Sequence, residues 1–435
     1  MDIPVFIRDS RLFVNIIIMN NPMKANLFLT AILFAVSFSG FVQTTAQWRG
    51  PERSGFYPNE TVLKTWPPEG PALLWKAENI GNGYGSPTVT ADRLYIAGEI
   101  DTTGYLFAFS LQGKLLWKSP YGKEWVVSYQ GARCAPTVAG EMIYVCSGLG
   151  NLACLDASNG AKIWSVDMLK DLHGRFTLFG HAESSLLDGD KVFLVPGGKD
   201  TNVVAMNRFT GKIIWVCKGA GETPGYNAPY LIRLPSRHVL VTFTSYSMLG
   251  IDAQTGELLW VHPQDNIPVA ERKPGNGDTH SNTIFYENGF IYYFAGDGNG
   301  AVKLELSADG KKISQVWRNQ AIDNYMGGFV KQGNSLYSCV SEKKQLKCLD
   351  AGTGLVTDSL KCGAGSIILA DSMLFYYNQK GEAMLINPGH GKMSQTGLFK
   401  VAAGTKEHFS HPVIHKGVLY IRHGNVLMAY DVGKK

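Results

Sequence analysis

One short phrase recurs along the chain. "GPALLW" ends at Trp75, "QGKLLW" at Trp117, "NGAKIW" at Trp164, "TGKIIW" at Trp215, "TGELLW" at Trp260 and "KISQVW" at Trp317. Two weaker copies follow: "LDAGTGLVTD", with Asp358 in the Trp slot, and "HGKMSQTGLF", closing at Phe399. A period of roughly fifty residues is that of propellers and solenoids, whose units cannot bury their faces alone.

Inside each period the residues read as strands. A short opening strand ("GSPTVT", "CAPTVA", "NAPYLI", "SHPVIH") precedes a second ("RLYIAG", "MIYVCS", "HVLVTF", "VLYIRH"). A third strand ("LACLD", "VVAMN", "MLGID") leads into the Trp strand, with Gly-rich turns between. This predicts an all-β fold, an eight-bladed β-propeller of four-stranded antiparallel blades, or a seven-bladed one if a late copy is irregular. The last copy has three strands, and "GPALLW" has a Trp strand with nothing before it. The N-terminal strand is therefore expected to complete the C-terminal blade, closing the ring and removing free sheet edges. In "LDASNGAKIW", Asp156 caps turn N–H groups, Gly160 takes the positive-φ position and Trp164 wedges against the next blade. Asn207, Gly211 and Trp215 repeat the set, as do Asp252, Gly256 and Trp260.

Before the repeats, residues 23–46 read "MKANLFLTAILFAVSFSGFVQTTA", a Lys, an apolar stretch and small residues before Gln47. That is an export signal with cleavage after Ala46 and a start at Met23, so 1–46 is leader, 47–70 an arm and 71–435 the propeller. The apolar stretch is too short to span a membrane comfortably, and no Cys follows it for lipid attachment. The expected location is the periplasm or the exterior. A net charge of +5 over 435 residues, without long Lys/Arg runs, gives no footprint for nucleic acid. All seven Cys lie in the exported part. Cys146/Cys154 and Cys339/Cys348 each put one Cys in "Y-x-C" of a second strand and one in "C-L-D" of the third. They read either as buried thiols or as cross-strand disulfides favoured by export.

The pattern Ala-x-Asp-x-x-Thr-Gly-x-x-x-Trp, met by "AMNRFTGKIIW" with Asn for Asp, resembles the tryptophan-docking motif of the pyrroloquinoline-quinone (PQQ) repeat superfamily. "GIDAQTGELLW" departs at Gly250, and "CLDASNGAKIW" at Cys154 and Asn159. The resemblance runs from Trp48 onward and extends to propellers likened to the outer-membrane assembly factor of BamB type. It implies the fold and leaves the activity open, because the motif sits at blade contacts. The superfamily's dehydrogenases carry a vicinal Cys pair, a Trp floor and a Ca²⁺ held by acidic and amide side chains. This chain has no adjacent Cys pair, and no cofactor or metal is expected. Trp75, Trp117, Trp164, Trp215, Trp260 and Trp317 are assigned to blade docking. Of Trp48, Trp66 and Trp125, only Trp125 is expected to reach the channel mouth.

Polar residues where innermost strands begin are the candidate ligand-binding set: Tyr84, Arg133, His181, Glu183, Asn227, His280, Asn282, Asn324, Tyr325, His408 and His411. "GDGNG" at 296–300 has no helix after it and no distal Glu, and reads as a hairpin turn. The leading reading is a monomeric exported propeller that binds or assembles without catalysis, its partner an envelope protein or a carbohydrate or small ligand at the funnel. The alternative is an enzyme, either a PQQ- and Ca²⁺-dependent alcohol or sugar dehydrogenase or a carbohydrate lyase or hydrolase, drawing acid/base groups from the same rim.

Overall fold

The computed structural model describes residues 45–264, 266–389 and 392–434. The expected leader lies outside the described residues, apart from Thr45 and Ala46. The described chain forms eight sheets, each with a four-stranded antiparallel core, so the fold is an eight-bladed propeller. Blade 1 runs Thr88–Val89, Arg93–Ile100, Thr103–Ser110 and Leu115–Lys123, from channel to rim. Blades 2 to 7 follow over residues 137–167, 186–217, 230–263, 285–319, 329–361 and 365–400. Blade 8 takes Val413–His415, Val418–His423 and Val426–Asp431 from the C-terminus and Ala72–Ala77 from the N-terminal side. Ala72 stands opposite Asp431 and Ala77 opposite Leu427, which closes the ring.

Middle strands are covered by neighbouring blades on both faces and are mostly apolar. Met373–Asn378 and Ser247–Asp252 are buried at every position, whereas the rim strand Val356–Lys361 has no buried residue.

The Trp repeat works between blades. The Trp164 indole N–H donates to Arg208 O of the next blade at 3.0 Å, Trp215 to Ala253 O at 3.1 Å and Trp260 to Gly310 O at 3.1 Å. The Trp164 and Trp215 rings each lie on a turn glycine. A Cβ at Gly211 would stand 2.9 Å from the Trp164 ring, and one at Gly256 2.8 Å from Trp215. These glycines also hold φ of 68° and 79°, so both the conformation and the contact exclude a side chain. Trp75 of blade 8 docks on Gly113 of blade 1 in the same way, and Trp117 and Trp317 dock on Gly160 and Gly354. The Asp156 carboxylate accepts from Ser158 N–H at 2.8 Å, holding the turn. Residues 296–299 form the turn between Phe290–Ala295 and Gly300–Leu306.

Of the two readings of the cysteines, buried thiols are found and disulfides are not. The seven cysteines are all free and buried. Cys146 faces Leu152 and Cys154 faces Tyr144, while Cys339 faces Leu346 and Cys348 faces Tyr337. Each candidate disulfide partner therefore lies on the right face but two positions out of register, a diagonal of about 7–8 Å that a disulfide does not bridge. The arm, in turn, is paired to the ring at both ends. Thr45–Ala46 pairs antiparallel with the innermost strand of blade 2, and Phe56–Tyr57 pairs parallel with that of blade 7. The residues between cross the channel.

Candidate functional site at the channel mouth

The connections from each rim strand to the next innermost strand gather at one end of the channel. There they enclose a cavity of about 130 Å³. Of the candidate residues, Tyr84, Arg133 and His411 line it. Trp48, from the arm, lines it too, whereas Trp125 is buried beside it against Phe176 and Gly180. The Trp that reaches the mouth is thus Trp48, carried in by the arm.

Six other candidates are buried, and the side chains of five of them tie backbone together. Asn282 donates to Phe294 O and Asn324 O at 3.1 Å each and accepts from Gly328 N–H at 2.8 Å. Asn324 donates to Gly328 O at 3.0 Å and Ser338 Oγ at 2.7 Å. Asn227 accepts from Phe243 N–H, and the His280 Nε2 meets Ser245 O at 3.0 Å. Glu183 accepts from Val195 N–H at 3.2 Å, and burial pushes its carboxyl up to about 8. Burial also pulls His181 and His280 down to about 4, so all three are neutral at pH 7. Tyr325 and His408 sit further out. Tyr325 covers Gly296, and His408 stacks on His423 with ring centroids 3.6 Å apart while its Nδ1 meets Tyr377 OH.

Three arginines that the motif reading did not single out are buried here, Arg49 and Arg53 in the channel and Arg422 between blades 8 and 1. Arg49 donates to Ile367 O at 3.0 Å, Phe329 O at 2.5 Å and Ser54 O at 3.1 Å, and meets His411 Nδ1 at 3.0 Å. Arg53 donates to Ser184 O at 2.9 Å, Pro229 O at 3.3 Å and Ser185 O. Arg422 reaches Ala97 O at 2.5 Å, Gly424 O, Gly81 O and Gly85 O. Burial lowers them to about 10, 9 and 10, still charged at neutral pH. The planar guanidinium fork lets one side chain satisfy several backbone carbonyls at once. The signal available in the sequence was two Arg in a Gly/Pro-rich arm, "QWRGPERSG", and one in an otherwise apolar strand, "VLYIRH".

A Ca²⁺-held quinone would need several oxygen ligands, carboxylates among them. Among the described residues no Asp or Glu lines the cavity, and Glu183 is turned to backbone and protonated. The residues present do not fit that group. Among the described residues no cluster of His, Cys, Asp and Glu is placed to hold a metal.

Residues 59–216 and 102–359 match the family described as outer membrane protein assembly factor BamB, well over half of the chain. The chain belongs to this family. Among solved structures, BamB from Moraxella catarrhalis superposes with a TM-score of 0.58 at 12% identity, covering 83% of this chain and 97% of that one. A computationally designed protein, Ika8, gives 0.55 at 12% identity, covering 83% and 99%. At that identity the likeness shows the fold alone. A quinoprotein ethanol dehydrogenase of Pseudomonas aeruginosa is 28% identical over 161 residues, 34% of this chain and 25% of the relative. The chain thus spans about a quarter of the length of the curated relatives it matches.

Proposed function

We propose that the chain is an exported, monomeric scaffold of outer-membrane protein assembly, binding an envelope protein with its channel-mouth face and catalysing nothing itself. The observation that carries this is apolar exposure on two neighbouring connections. Val126, Val127, Tyr129, Phe176 and Leu178 are all exposed, Val127 by 79% and Leu178 by 48%. The two connections touch through Trp125–Phe176 at 5.8 Å and Tyr129–Phe179 at 6.0 Å, so the side chains form one patch. A contiguous apolar patch at a rim of polar loops is the mark of a protein-binding surface. Membership of the BamB family supports the partner class. No helix among the described residues is long and apolar enough to cross a membrane.

The test is genetic. Deleting the gene from its bacterium lowers outer-membrane β-barrel levels, and the wild-type chain restores them. A Val127→Glu/Leu178→Glu double variant, equally stable when purified, fails to restore them. Full rescue by that variant overturns the docking face. Unchanged barrel levels, joined to dye reduction by the purified protein with PQQ, Ca²⁺ and an alcohol, replace the scaffold with the dehydrogenase.

A further inference from the structure

The cavity itself has a chemistry distinct from the patch beside it. Five rings follow one another around the mouth: Tyr84 to Phe409 at 5.5 Å, Phe409 to Tyr129 at 5.8 Å, Tyr129 to Phe179 at 6.0 Å and Phe179 to Tyr226 at 5.8 Å. Tyr84, Phe409 and Tyr226 line the cavity with Trp48. Its volume of about 130 Å³ is close to the roughly 150 Å³ of an apolar protein cavity that takes up one benzene. The space suits a single ring and not three fused ones.

The charge around it is positive. Arg133 lines the cavity, and Arg49 stands against it, 5.6 Å from the Trp48 ring and bonded to His411. Among the described residues neither forms an ion pair; Glu407, bonded to Tyr84 OH at 2.7 Å, lies at the rim, and the Glu124 carboxyl, which burial pushes toward its neutral form, lies within electrostatic reach of Arg133. Arg53 and Arg422 are bonded to backbone carbonyls, with the Glu183 carboxyl within electrostatic reach of Arg53 and that of Glu124 within reach of Arg422. Arg133 donates to Gly131 O at 3.1 Å, Ser128 O at 2.7 Å and Tyr129 O at 3.0 Å. These three bonds fix the guanidinium and leave two of its five N–H groups without an acceptor among the described residues. A held cation with open donors, at low dielectric beside an aromatic pocket, selects an anion attached to a ring.

We infer that this cavity binds one arylalkyl carboxylate, its ring inside the aromatic collar next to Trp48 and its carboxylate accepting from the open N–H groups of Arg133. Two sources share that chemistry: a free aromatic acid, or the C-terminal residue of a peptide that ends in an aromatic side chain. The site is read on purified protein alone, so it stands or falls apart from the scaffold reading.

Calorimetric titration of the full chain tests it, with 3-phenylpropanoate, its alcohol 3-phenylpropan-1-ol, and N-acetyl-Gly-Gly-Phe as free acid and as amide. The acid is expected to bind with a sub-millimolar Kd and the alcohol at least about tenfold more weakly, as the loss of a charge-assisted bond requires. Arg133→Gln loses at least about tenfold, and Arg133→Lys keeps part of the affinity. Ala182→Leu, which fills the cavity from a partly exposed position, abolishes binding without lowering Tm; it keeps the test decisive if Arg133→Gln unsettles its loop. Tighter binding of the free-acid peptide than of 3-phenylpropanoate points to a chain terminus, and the reverse to a free acid. No heat at about 5 mM acid, equal binding of acid and alcohol, undiminished binding by Ala182→Leu, or micromolar binding of the three-ring quinone each overturns the inference.

Discussion

Glu183 offers a measurement that reads the channel interior directly. Its carboxyl is buried between blades 2 and 3, and desolvation lifts it from 4.5 to about 8, against the opposing charge of Arg53. A carboxyl whose folded value is raised stabilises the fold fully below its unfolded value and loses that contribution as pH climbs toward the folded one. The window is therefore pH 4.5 to 8. At 1.36 kcal/mol per unit, the wild type forfeits about 4 kcal/mol by pH 8 relative to pH 4.5 through this group alone. Glu183→Gln keeps an oxygen to accept from Val195 N–H and cannot ionise. Urea unfolding of both proteins at pH 5 and pH 8 isolates the effect, since every other titrating group is common to the two. The variant should be close to wild type at pH 5 and about 3–4 kcal/mol more stable at pH 8. A difference between the two proteins that stays constant from pH 5 to pH 8 would refute the protonated, buried carboxyl. The histidines bend the absolute curves the other way: His181 and His280, held at about 4, contribute stability that is lost as pH falls from 6.5 through 4.

Arg53→Ala strips Ser184 O and Pro229 O of their donor, while Ser185 O keeps Thr137 Oγ1 at 2.7 Å; the cost is about 2–4 kcal/mol by chemical denaturation, and a loss under about 1 kcal/mol would mean the arm does not brace the ring. Trp164→Ala and Trp215→Ala each remove a docked ring and should cost about 3–5 kcal/mol, with values below about 1 kcal/mol for both contradicting the docking role. Deleting Pro71 to Trp75 leaves blade 8 with three strands and an open edge, and the expected result is insolubility or a large fall in Tm. A soluble monomer of unchanged Tm would show that closure lies elsewhere.

The fold was legible because its long-range contacts are announced locally. Trp164 and Gly211 touch across 47 positions, yet each is marked by a turn signature within five residues of itself, and eight repetitions confirm the period. The candidate rim residues were legible as a location and not as roles. All of them precede innermost strands, as read. Whether a side chain faces the cavity, as Tyr84 and Arg133 do, or turns to a neighbouring carbonyl, as His280 does, depends on backbone direction in irregular connections, which no periodicity encodes. The cysteines show the same limit in a strand. Alternation gives the face, while the hairpin turn sets the register, and a two-residue offset separates a disulfide from two thiols.

The arm was the least legible part, and it decides how the molecule can act. Arg53 meets Ser184 and Pro229 at separations of 131 and 176, and Arg49 meets Ile367 at 318, so nothing near these residues in sequence predicts their partners. Their effect is to fill the channel with side chains whose charges are met by backbone dipoles. The cavity's lining draws on the arm at Trp48 and on the mouth loops at Tyr84, Arg133 and Phe409, with the arm's arginines behind it. A ligand or partner using this cavity must therefore approach from the end where Val127, Leu178 and the aromatic collar lie. The exposed patch and the ring-sized, positively charged cavity belong to that one face because the arm occupies the channel behind them.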